Sequence, residues 1–452
     1  SGLTNLPAAN ITGTLPAISG ANLTNLTAGN LTGALPAISG ANLTGIAATD
    51  NVRTGILDVA GISTFRNTVN IGAAVTISES GIEASGIGIT VANINGTQIG
   101  GRRNIIINGA MLVAQRGTSS NSSGYQTVDR YKTVYSGLDN APTFEQVDTS
   151  SSDTPYTLGL RKAFKVTNGD QTSVGAADNF RIEYKIEAQN IGQSGWNFKS
   201  STSFITLSFW VKSSVAQNFA IRLFNQDATY AYSFVFAATT SWTKITHSIK
   251  GDSGIVINND NGGGLNVNWV LFEGTDGTTS GHTNETWASY STTDKVGDMT
   301  STWYDTNDAT FELTGVQLEV GSQATPFEHR SFGEELQLCH RYYYRHREHT
   351  GSTVSVGLAQ GWDSNEVDIP ISFPTPMRTA PSLEQKSGSN YFQLEGGGAG
   401  NSTFVDGNWT LQFGTINGCN IYATPDTSIT SGNAYHVTMR QSGAYLAFNA
   451  EL

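Results

Sequence analysis

Residues 314–344 read TGVQLEVGSQATPFEHRSFGEELQLCHRYYY, and within them the chain changes from a strand pattern to a helix pattern. Hydrophobic and polar residues alternate on both sides of Gly315, as expected of a half-buried β-strand, and a glycine at the change of phase indicates a β-bulge. Pro326 has no backbone N–H to donate, so the strand must end before it. This segment therefore closes one β domain.

A short helix is predicted immediately after that strand. Ser331 and Glu334 have the spacing of a capping box, in which each side chain accepts a hydrogen bond from the backbone N–H of the other residue. The expected hydrophobic face of the helix consists of Phe332, Leu336, Cys339 or His340, and Tyr343. Such a face must be covered, so the helix is expected to end one β domain and to fill a gap in the next.

The chain before this segment has the two-residue period of strands that are buried on one face. The period is found at residues 180–188, 205–211, 221–223, 234–236 and 245–249. Turn residues separate these segments and no long helical pattern lies between them, which is typical of an antiparallel sandwich of the jelly-roll type. Residues 103–330 are therefore predicted to form a β-sandwich, and ITLSFWVKSS at residues 205–214 resembles a core strand of carbohydrate-binding modules.

The chain after this segment returns to strand patterns with a different spacing. They are found at residues 354–358, 369–376, 435–439 and 445–448. These patterns predict a second, smaller β-sandwich, so that residues 331–452 comprise the capped helix and a C-terminal tip. The fold class predicted for the whole chain is all-β.

The N-terminal region contains a twenty-residue repeat, because LTNLPAANITGTLPAISGAN at residues 3–22 is followed by LTNLTAGNLTGALPAISGAN at residues 23–42. One copy buries too little surface to be stable alone, so the copies must stack within one chain or against partner chains. We expect residues 1–50 to form a stalk of three chains, with a single-chain solenoid as the alternative. Residues 51–102 carry short strand signals and are expected to continue the stalk as a β neck.

Two segments resemble the tail-fibre proteins of tailed bacteriophages. In those proteins a strand similar to GVQLEVG runs into ATPFEHRSFGEEL and an LCxRYY helix, as at residues 315–344 here. A segment similar to RNIIINGAMLVAQRG, at residues 103–117, opens the same module. The resemblance implies an elongated homotrimer that belongs to the virion, attaches to a receptor on the host cell, and is joined to other tail or baseplate proteins on its N-terminal side.

The composition limits the partners of the protein. Only 14% of the residues are charged and the net charge is −12, whereas nucleic acids and anionic membranes favour clustered Lys and Arg. No hydrophobic run approaches the roughly 20 residues that span a bilayer, so membrane insertion is not expected. Two cysteines are too few for a disulfide framework, which suits a chain made in the host cytoplasm and then assembled into a particle.

Three segments have residues suited to catalysis or metal binding, and each has a simpler interpretation. Gly-Asp-Ser-Gly at residues 251–254 matches the start of the chymotrypsin-like nucleophile motif, but a hairpin turn is favoured because His247 is the only nearby upstream base. Residues 339–349 contain Cys and His without a recognised ligand spacing, and residues 258–262 lack the glutamate of a calcium loop. We therefore predict no catalytic residue, no metal and no other cofactor.

The predicted function is receptor attachment by an adhesin that is not an enzyme. The receptor is expected to be a host-surface glycan such as lipopolysaccharide, or a protein. Aromatic rings and polar side chains near loops of the tip are the candidate receptor-binding residues: Trp362, Asp363, Arg378, Tyr391, Trp409 and Tyr422. Two alternatives stay open, namely a tailspike-type polysaccharide depolymerase, which needs paired carboxylates, and a secreted carbohydrate-binding module.

Overall fold

The computed structural model describes residues 103–396 and 402–452, together with the backbone of five short strands that precede them. These strands are β1 (Val69–Ile71), β2 (Val75–Ser78), β3 (Gly81–Ala84), β4 (Asn93–Ile94) and β5 (Thr97–Gln98). Strands β1 to β3 form an antiparallel sheet within one compact unit, residues 1–89. All the other described residues belong to a second unit, residues 90–452. The predicted repeat stalk of residues 1–50 lies outside the described residues.

The central part of the chain is a sandwich of two antiparallel six-stranded sheets. The first sheet has the order β16 (Ala288–Ser289), β13 (Tyr230–Ala238), β12 (Gln217–Asn225), β15 (Gly263–Glu273), β10 (Asn179–Glu187) and β7 (Tyr131–Ser136). The second has the order β14 (Thr243–Lys250), β11 (Phe204–Ser213), β17 (Thr310–Val320), β9 (Lys162–Thr167), β8 (Thr143–Asp148) and β6 (Ser119–Ser120). The jelly-roll-like β-sandwich expected from the period of two is confirmed.

The core of the central sandwich is built from the alternate residues of these strands. Trp269 is fully buried, and its ring lies 5.8 Å from that of Phe209 on the opposite sheet. On β10 the side chains of Phe180, Ile182 and Tyr184 are buried in the same core. Because successive side chains of a strand point to opposite faces, the polar residues between them lie on the outer face of the first sheet.

The predicted β-bulge lies at Gly315 in β17. Its φ is +61°, and the pairing of β17 with β11 shifts register between Ser208 and Trp210. A Cβ at this position would lie 2.6 Å from Leu160, closer than real Cβ contacts. The bulge therefore requires glycine both for the left-handed backbone conformation and for the lack of space.

The two segments that resemble phage fibres contact each other. Asn104 is 1% exposed, and its Nδ2 donates to the carbonyl oxygen of Val316 at 3.0 Å. Its Oδ1 accepts from the N–H groups of Ile106 and Leu318, at 3.0 and 3.1 Å. A Cβ on Gly109 would lie 2.1 Å from the oxygen of Val316. These residues therefore dock the start of the sandwich onto its last strand.

Helix α3 (Phe332–His340) begins with the predicted capping box of Ser331 and Glu334, and two short helical turns, α1 (Thr154–Thr157) and α2 (Ala188–Gly192), precede it. The predicted hydrophobic face was wrong at two positions. Phe332 is 57% exposed, and Tyr343 lies in the following strand. Glu335 is buried in place of Phe332, because its carboxylate accepts the N–H of Asn108 at 2.5 Å and pairs with Arg330 at 3.4 Å.

The C-terminal part forms the predicted second, smaller sandwich. Its three-stranded sheet has the order β18 (Tyr343–Glu348), β27 (Tyr445–Asn449) and β21 (Ser382–Lys386). Its seven-stranded sheet has the order β23 (Ser402–Val405), β22 (Phe392–Gly396), β26 (Ala434–Met439), β19 (Val354–Gly361), β20 (Val367–Ser372), β25 (Gly418–Ala423) and β24 (Thr410–Gln412). Both cysteines, Cys339 and Cys419, are buried and free, as expected from their number.

A buried seam of charged and aromatic residues joins the two sandwiches. Arg130, 1% exposed, forms an ion pair with Glu451 and lies 3.5 Å from the ring centre of Tyr342. Arg116 lies 3.5 Å from the same carboxylate. On the other side of Tyr342, its hydroxyl donates to Glu187 at 2.9 Å. Buried charges are tolerated only when they are paired, so the seam fixes the two sandwiches against each other.

Lowering the pH is expected to destabilise the C-terminal sandwich through His346. Burial, and to a lesser extent the charge of Arg347, lower the pKa of His346 to about 4, although the hydrogen bond from its Nε2 to the carbonyl oxygen of Val356 acts in the opposite direction. Below the ordinary histidine pKa near 6.5 the unfolded chain binds a proton that the folded chain excludes. Between pH 6.5 and 4 the chain should lose about 3 kcal/mol of stability from this residue.

Urea unfolding at pH 7, 5.5 and 4 measures this loss. The variant His346→Gln, which keeps one donor and one acceptor, should lose less stability over the same range. An equal loss in the variant and the native chain would rule out His346 as the cause.

Candidate functional site

A polar cleft of about 260 Å³ lies on the outer face of the first sheet of the central sandwich. Strands β10, β12 and β15 supply most of its walls, and one residue comes from the loop after β16. The lining residues are Arg181, Glu183, Lys185, Arg222, Phe224, Gln226, Asn266, Asn268 and Tyr290. The cleft therefore occupies the middle of the sheet, on the face opposite the hydrophobic core.

Several buried polar atoms of the cleft are not hydrogen bonded to any described residue. They are Nε and Nη1 of Arg222 and the Oδ1 atoms of Asn266 and Asn268. Arg222 is 5% exposed and Asn268 is 1% exposed. A buried polar group without a partner costs about 1–3 kcal/mol. The cleft thus presents donors and acceptors that a molecule rich in hydroxyl groups would satisfy.

The charges in the cleft are mostly positive, although the whole chain is acidic. Of the nine lining residues, all within the described part of the chain, Glu183 is the one carboxylate. It lies 3.7 Å from Lys185, 3.8 Å from Lys132 and 3.9 Å from Arg181. Burial, and then the charge of Arg181, lower the pKa of Arg222. An anionic group in the cleft would relieve this repulsion.

Two aromatic rings form the apolar wall of the cleft. Tyr290 lies edge-on to Phe224, with ring centres 5.0 Å apart. The guanidinium carbon of Arg222 lies 5.7 Å from the centre of the Tyr290 ring. Tyr290 is half-buried, so part of its ring faces the cleft. Apolar ring surface beside unpaired polar atoms is the combination that binds one face of a sugar and its hydroxyls.

The residues predicted from the sequence have different surroundings. Trp362 is 69% exposed in the turn between β19 and β20, and Asp363 accepts the N–H of Asn365 there at 2.6 Å. Tyr422 is half-buried on β25, and Tyr391 is half-buried against the second core. The contacts of these four residues do not bring them together in one site.

Two of the predicted site residues have structural contacts instead. Trp409 is 2% exposed and packs against Phe392 in the second core, so it is corrected to a core residue. Arg378 donates to the carbonyl oxygens of Asn261, Ala450 and Glu451 at 2.7–2.9 Å. Its guanidinium is therefore occupied in bridging the two sandwiches.

Sequence reasoning missed the cleft because its polar residues were interpreted as the solvent face of a sheet. A signal is present in β15, where Asn266 and Asn268 interrupt a strand that is otherwise almost entirely hydrophobic. Arg222 interrupts β12 in the same way. Buried polar groups are normally hydrogen bonded, so the unpaired atoms of these three buried side chains indicate a partner from outside the described residues.

No group of three or more His, Cys, Asp or Glu side chains in the described part of the chain could hold a metal ion. Within the same residues, no helix is both long and hydrophobic enough to cross a bilayer. The fold and the cleft define an all-β protein whose central sandwich carries an open polar groove.

No protein-family model matches the chain, and no curated protein matches it in sequence. Among solved structures it is similar to the enzymatically active domain of tailspike protein 4 of bacteriophage CBA120, with 8% identity and a TM-score of 0.25 over 48% of this chain and 21% of that one. A family 11 carbohydrate-binding module from Clostridium thermocellum, bound to a mixed-linked tetrasaccharide, is similar with 10% identity and a TM-score of 0.23, over 46% of this chain and 98% of that one.

A protein from Bacteroides thetaiotaomicron that is named a putative sugar binding protein is similar with 10% identity and a TM-score of 0.26, over 48% of this chain and 99% of that one. Similarity at these levels does not extend to function.

Proposed function

We propose that this chain is a tail-fibre adhesin that binds a host-surface glycan in the polar cleft of its central sandwich. The observation that supports this most is the set of buried, unpaired polar atoms of Arg222, Asn266 and Asn268 beside the ring of Tyr290. A glycan supplies hydroxyls for the polar atoms and a C–H face for the ring. The excess of positive side chains favours a glycan that carries acidic groups.

The remainder of the proposal follows the resemblance of residues 103–117 and 315–344 to phage fibres. The fibre is a homotrimer in the virion, joined to other tail proteins on its N-terminal side. Three clefts on one fibre raise the apparent affinity through effective concentration, so each cleft can bind weakly. Nucleic acid is not a partner, and neither is the interior of a membrane.

We propose further that the cleft does not cleave the glycan backbone. Glycoside hydrolysis uses two carboxyl groups that flank the scissile bond. The cleft contributes the single carboxylate of Glu183, which is surrounded by Lys132, Arg181 and Lys185. A depolymerase is the second candidate only if another carboxylate faces a glycan elsewhere on the fibre.

Substitutions in the cleft test the proposal. Lys185→Ala and Tyr290→Ala should each weaken binding to envelope polysaccharide of a susceptible host by about tenfold or more, since a lost contact of about 1.4 kcal/mol corresponds to a factor of ten. Titration calorimetry on the full chain measures the affinity. The matched control is Lys244→Ala, which removes an exposed lysine from β14 on the opposite sheet and should change nothing.

Trp362→Ala distinguishes the cleft from the tip. If this variant loses binding while the two cleft variants bind as the native chain does, the receptor site belongs to the C-terminal sandwich and the cleft proposal is wrong.

A further inference from the structure

A second, smaller pocket of about 140 Å³ lies beside the cleft. Its lining includes a serine, a histidine and an aspartate, and the histidine contacts both of the other two. The Oγ of Ser233 lies 2.5 Å from Nε2 of His282. The Nδ1 of the same ring lies 2.6 Å from Oδ1 of Asp294. These are the contacts that link nucleophile, general base and orienting carboxylate in serine hydrolases, where geometry rather than chain order defines the group.

The strand pattern of β13 places Ser233 on the outer face of the first sheet. Tyr232 and Phe234, its neighbours, are buried in the core, so the serine side chain points to the opposite face. The loop that carries His282 is fixed to the same strand, because the N–H of Glu285 donates to the carbonyl oxygen of Ser233 at 2.7 Å. The nucleophile and the base are therefore held together by backbone as well as side-chain contacts.

The segment that carries Asp294 is also fixed. The next residue, Lys295, donates to Glu273 at 2.5 Å through Nζ and to the carbonyl oxygen of Gly277 at 2.8 Å through its backbone N–H. Asp294 is 42% exposed, and the side chain of His282 is 12% exposed. The carboxylate thus sits at the rim, and the imidazole lies deeper, next to the serine.

The pocket shares a wall with the polar cleft. Tyr290 lines both cavities. A volume of about 140 Å³ is several times the roughly 30 Å³ that one water molecule occupies in the liquid. The pocket therefore has room for a short acyl group, while the sugar that carries it would occupy the neighbouring cleft.

Arg222 lies beside the serine on the outer face of the sheet. It is the direct cross-strand partner of Ser233, a relation that brings two Cβ atoms to about 4.5–5.5 Å. Its Nε and Nη1 lack a hydrogen-bond partner among the described residues. Unpaired donors next to a nucleophile can stabilise the negative charge that develops on an ester carbonyl oxygen.

We propose that Ser233, His282 and Asp294 form the centre of a carboxylic-ester hydrolase that removes short acyl groups, such as acetyl, from hydroxyls of the glycan held in the adjacent cleft. The choice of substrate rests on the proposed glycan binding, whereas the chemistry of the three residues does not. The proposal departs from the expectation, drawn from the sequence, that the protein is not an enzyme.

The reaction balances with water as the only co-reactant. Oγ of Ser233 forms a bond to the ester carbonyl carbon while its proton passes to Nε2 of His282. The unpaired Nε and Nη1 of Arg222, the cross-strand neighbour of Ser233, are the donors proposed for the resulting oxyanion. The bond between that carbon and the sugar oxygen then breaks, and His282 returns the proton to the sugar oxygen. Water attacks the acyl-serine by the same route, which releases a carboxylic acid and restores Ser233.

The simpler role for these residues is a hydrogen-bonded tether for the loop. Ser233 Oγ also lies 3.1 Å from Oδ1 of Asn284. Rotating the side-chain amide of Asn284 by 180° would place its NH₂ group, in place of its oxygen, against Oγ of Ser233. The one hydroxyl proton of Ser233 would then be donated to His282. A tether needs no nucleophile, so reactivity of the serine separates the two roles.

The first test needs no variant. The intact chain is treated with a fluorophosphonate probe, and the labelled peptide is identified by mass spectrometry. Labelling of Ser233 supports the proposal, and labelling that spares Ser233 overturns it.

The second test measures acetate released from 4-nitrophenyl acetate and from an O-acetylated acidic polysaccharide. Ser233→Ala should lower both rates by about 1,000-fold or more. The control Ser208→Ala, which changes a buried serine on the opposite sheet, should leave both rates unchanged. Equal rates in native chain and Ser233→Ala, with both folded by circular dichroism, would overturn the proposal.

Two further variants separate this proposal from the proposed binding function. Lys185→Ala should lower the rate on the polymer by a larger factor than the rate on 4-nitrophenyl acetate, because only the polymer needs the cleft. Asp294→Asn tests a positioning residue, and its rate should fall with an altered pH profile as the imidazole loses its orienting carboxylate. An unaltered profile in Asp294→Asn would mean that Asp294 only tethers the loop, and it would overturn its place in the centre.

Discussion

Replacing Glu451 by Gln is expected to lower the free energy of unfolding by about 3–5 kcal/mol. The carboxylate of Glu451 is 4% exposed and lies against two guanidinium groups, those of Arg116 and Arg130, which are 6% and 1% exposed. Without the negative charge, two positive groups stay buried side by side. Urea unfolding at pH 7 measures the loss.

A matched control for this variant is Glu145→Gln. Glu145 pairs with Lys165 at 3.6 Å, but both side chains are about one-third exposed, so water screens the interaction. Such a surface pair contributes no more than about 1 kcal/mol. Similar losses in the two variants would show that the seam is weaker than its burial implies.

Replacing Asn104 by Ala is expected to cost about 3 kcal/mol or more, the second large effect. The side chain makes three hydrogen bonds, to the backbone groups of Val316, Ile106 and Leu318, and is 1% exposed. Removing the Asn104 side chain leaves those buried backbone groups without a hydrogen-bond partner. Each unsatisfied group lowers the free energy of unfolding by about 1–3 kcal/mol. Differential scanning calorimetry should give a lower melting temperature for the central sandwich.

The control for Asn104 is Asn121→Ala. Asn121 is exposed, and only its backbone oxygen is used, as acceptor for the hydroxyl of Tyr135. This variant should unfold as the native chain does. If Asn104→Ala were equally harmless, the docking of residues 103–117 onto β17 would depend on Gly109 and its neighbours instead.

The seam determines which variants can locate the proposed glycan-binding site. Removing the C-terminal sandwich would expose Arg130 and strip it of Glu451, so a shortened chain tests stability as well as binding. Point substitutions avoid this difficulty. Lys185→Ala keeps the backbone carbonyl oxygen that accepts from Arg130 at 2.6 Å, and Trp362 is exposed in the turn between β19 and β20. The cleft and the tip can then be compared in chains that are otherwise intact.

The all-β fold could be predicted from the sequence because a two-residue period directly reports which side of a strand meets the core. The capping box of α3 and the bulge at Gly315 were also accessible, since both depend on residues close together in the chain. The resemblance of residues 103–117 and 315–344 to phage fibres marked two segments that contact each other. The resemblance did not indicate that contacts between these two segments hold the sandwich together.

The buried face of α3 was decided by tertiary structure. A pattern of hydrophobic residues places Phe332 inside and Glu335 outside, since a glutamate is almost never buried alone. The structure reverses this because Arg330 and the N–H of Asn108 satisfy the carboxylate of Glu335. Both partners come from outside the helix, so no helical pattern contains the information.

The candidate sites were likewise decided by tertiary structure. Arg222, Asn266 and Asn268 meet only because β12, β15 and β10 are neighbours in one sheet. Ser233, His282 and Asp294 are brought together by two loops, with no motif spacing between them. The sequence by itself determined which residues of each strand face the core. The pairing of strands and the path of the loops determined which polar residues on the other face form a cleft. Only the tertiary structure could decide this, because those contacts join positions far apart in the chain.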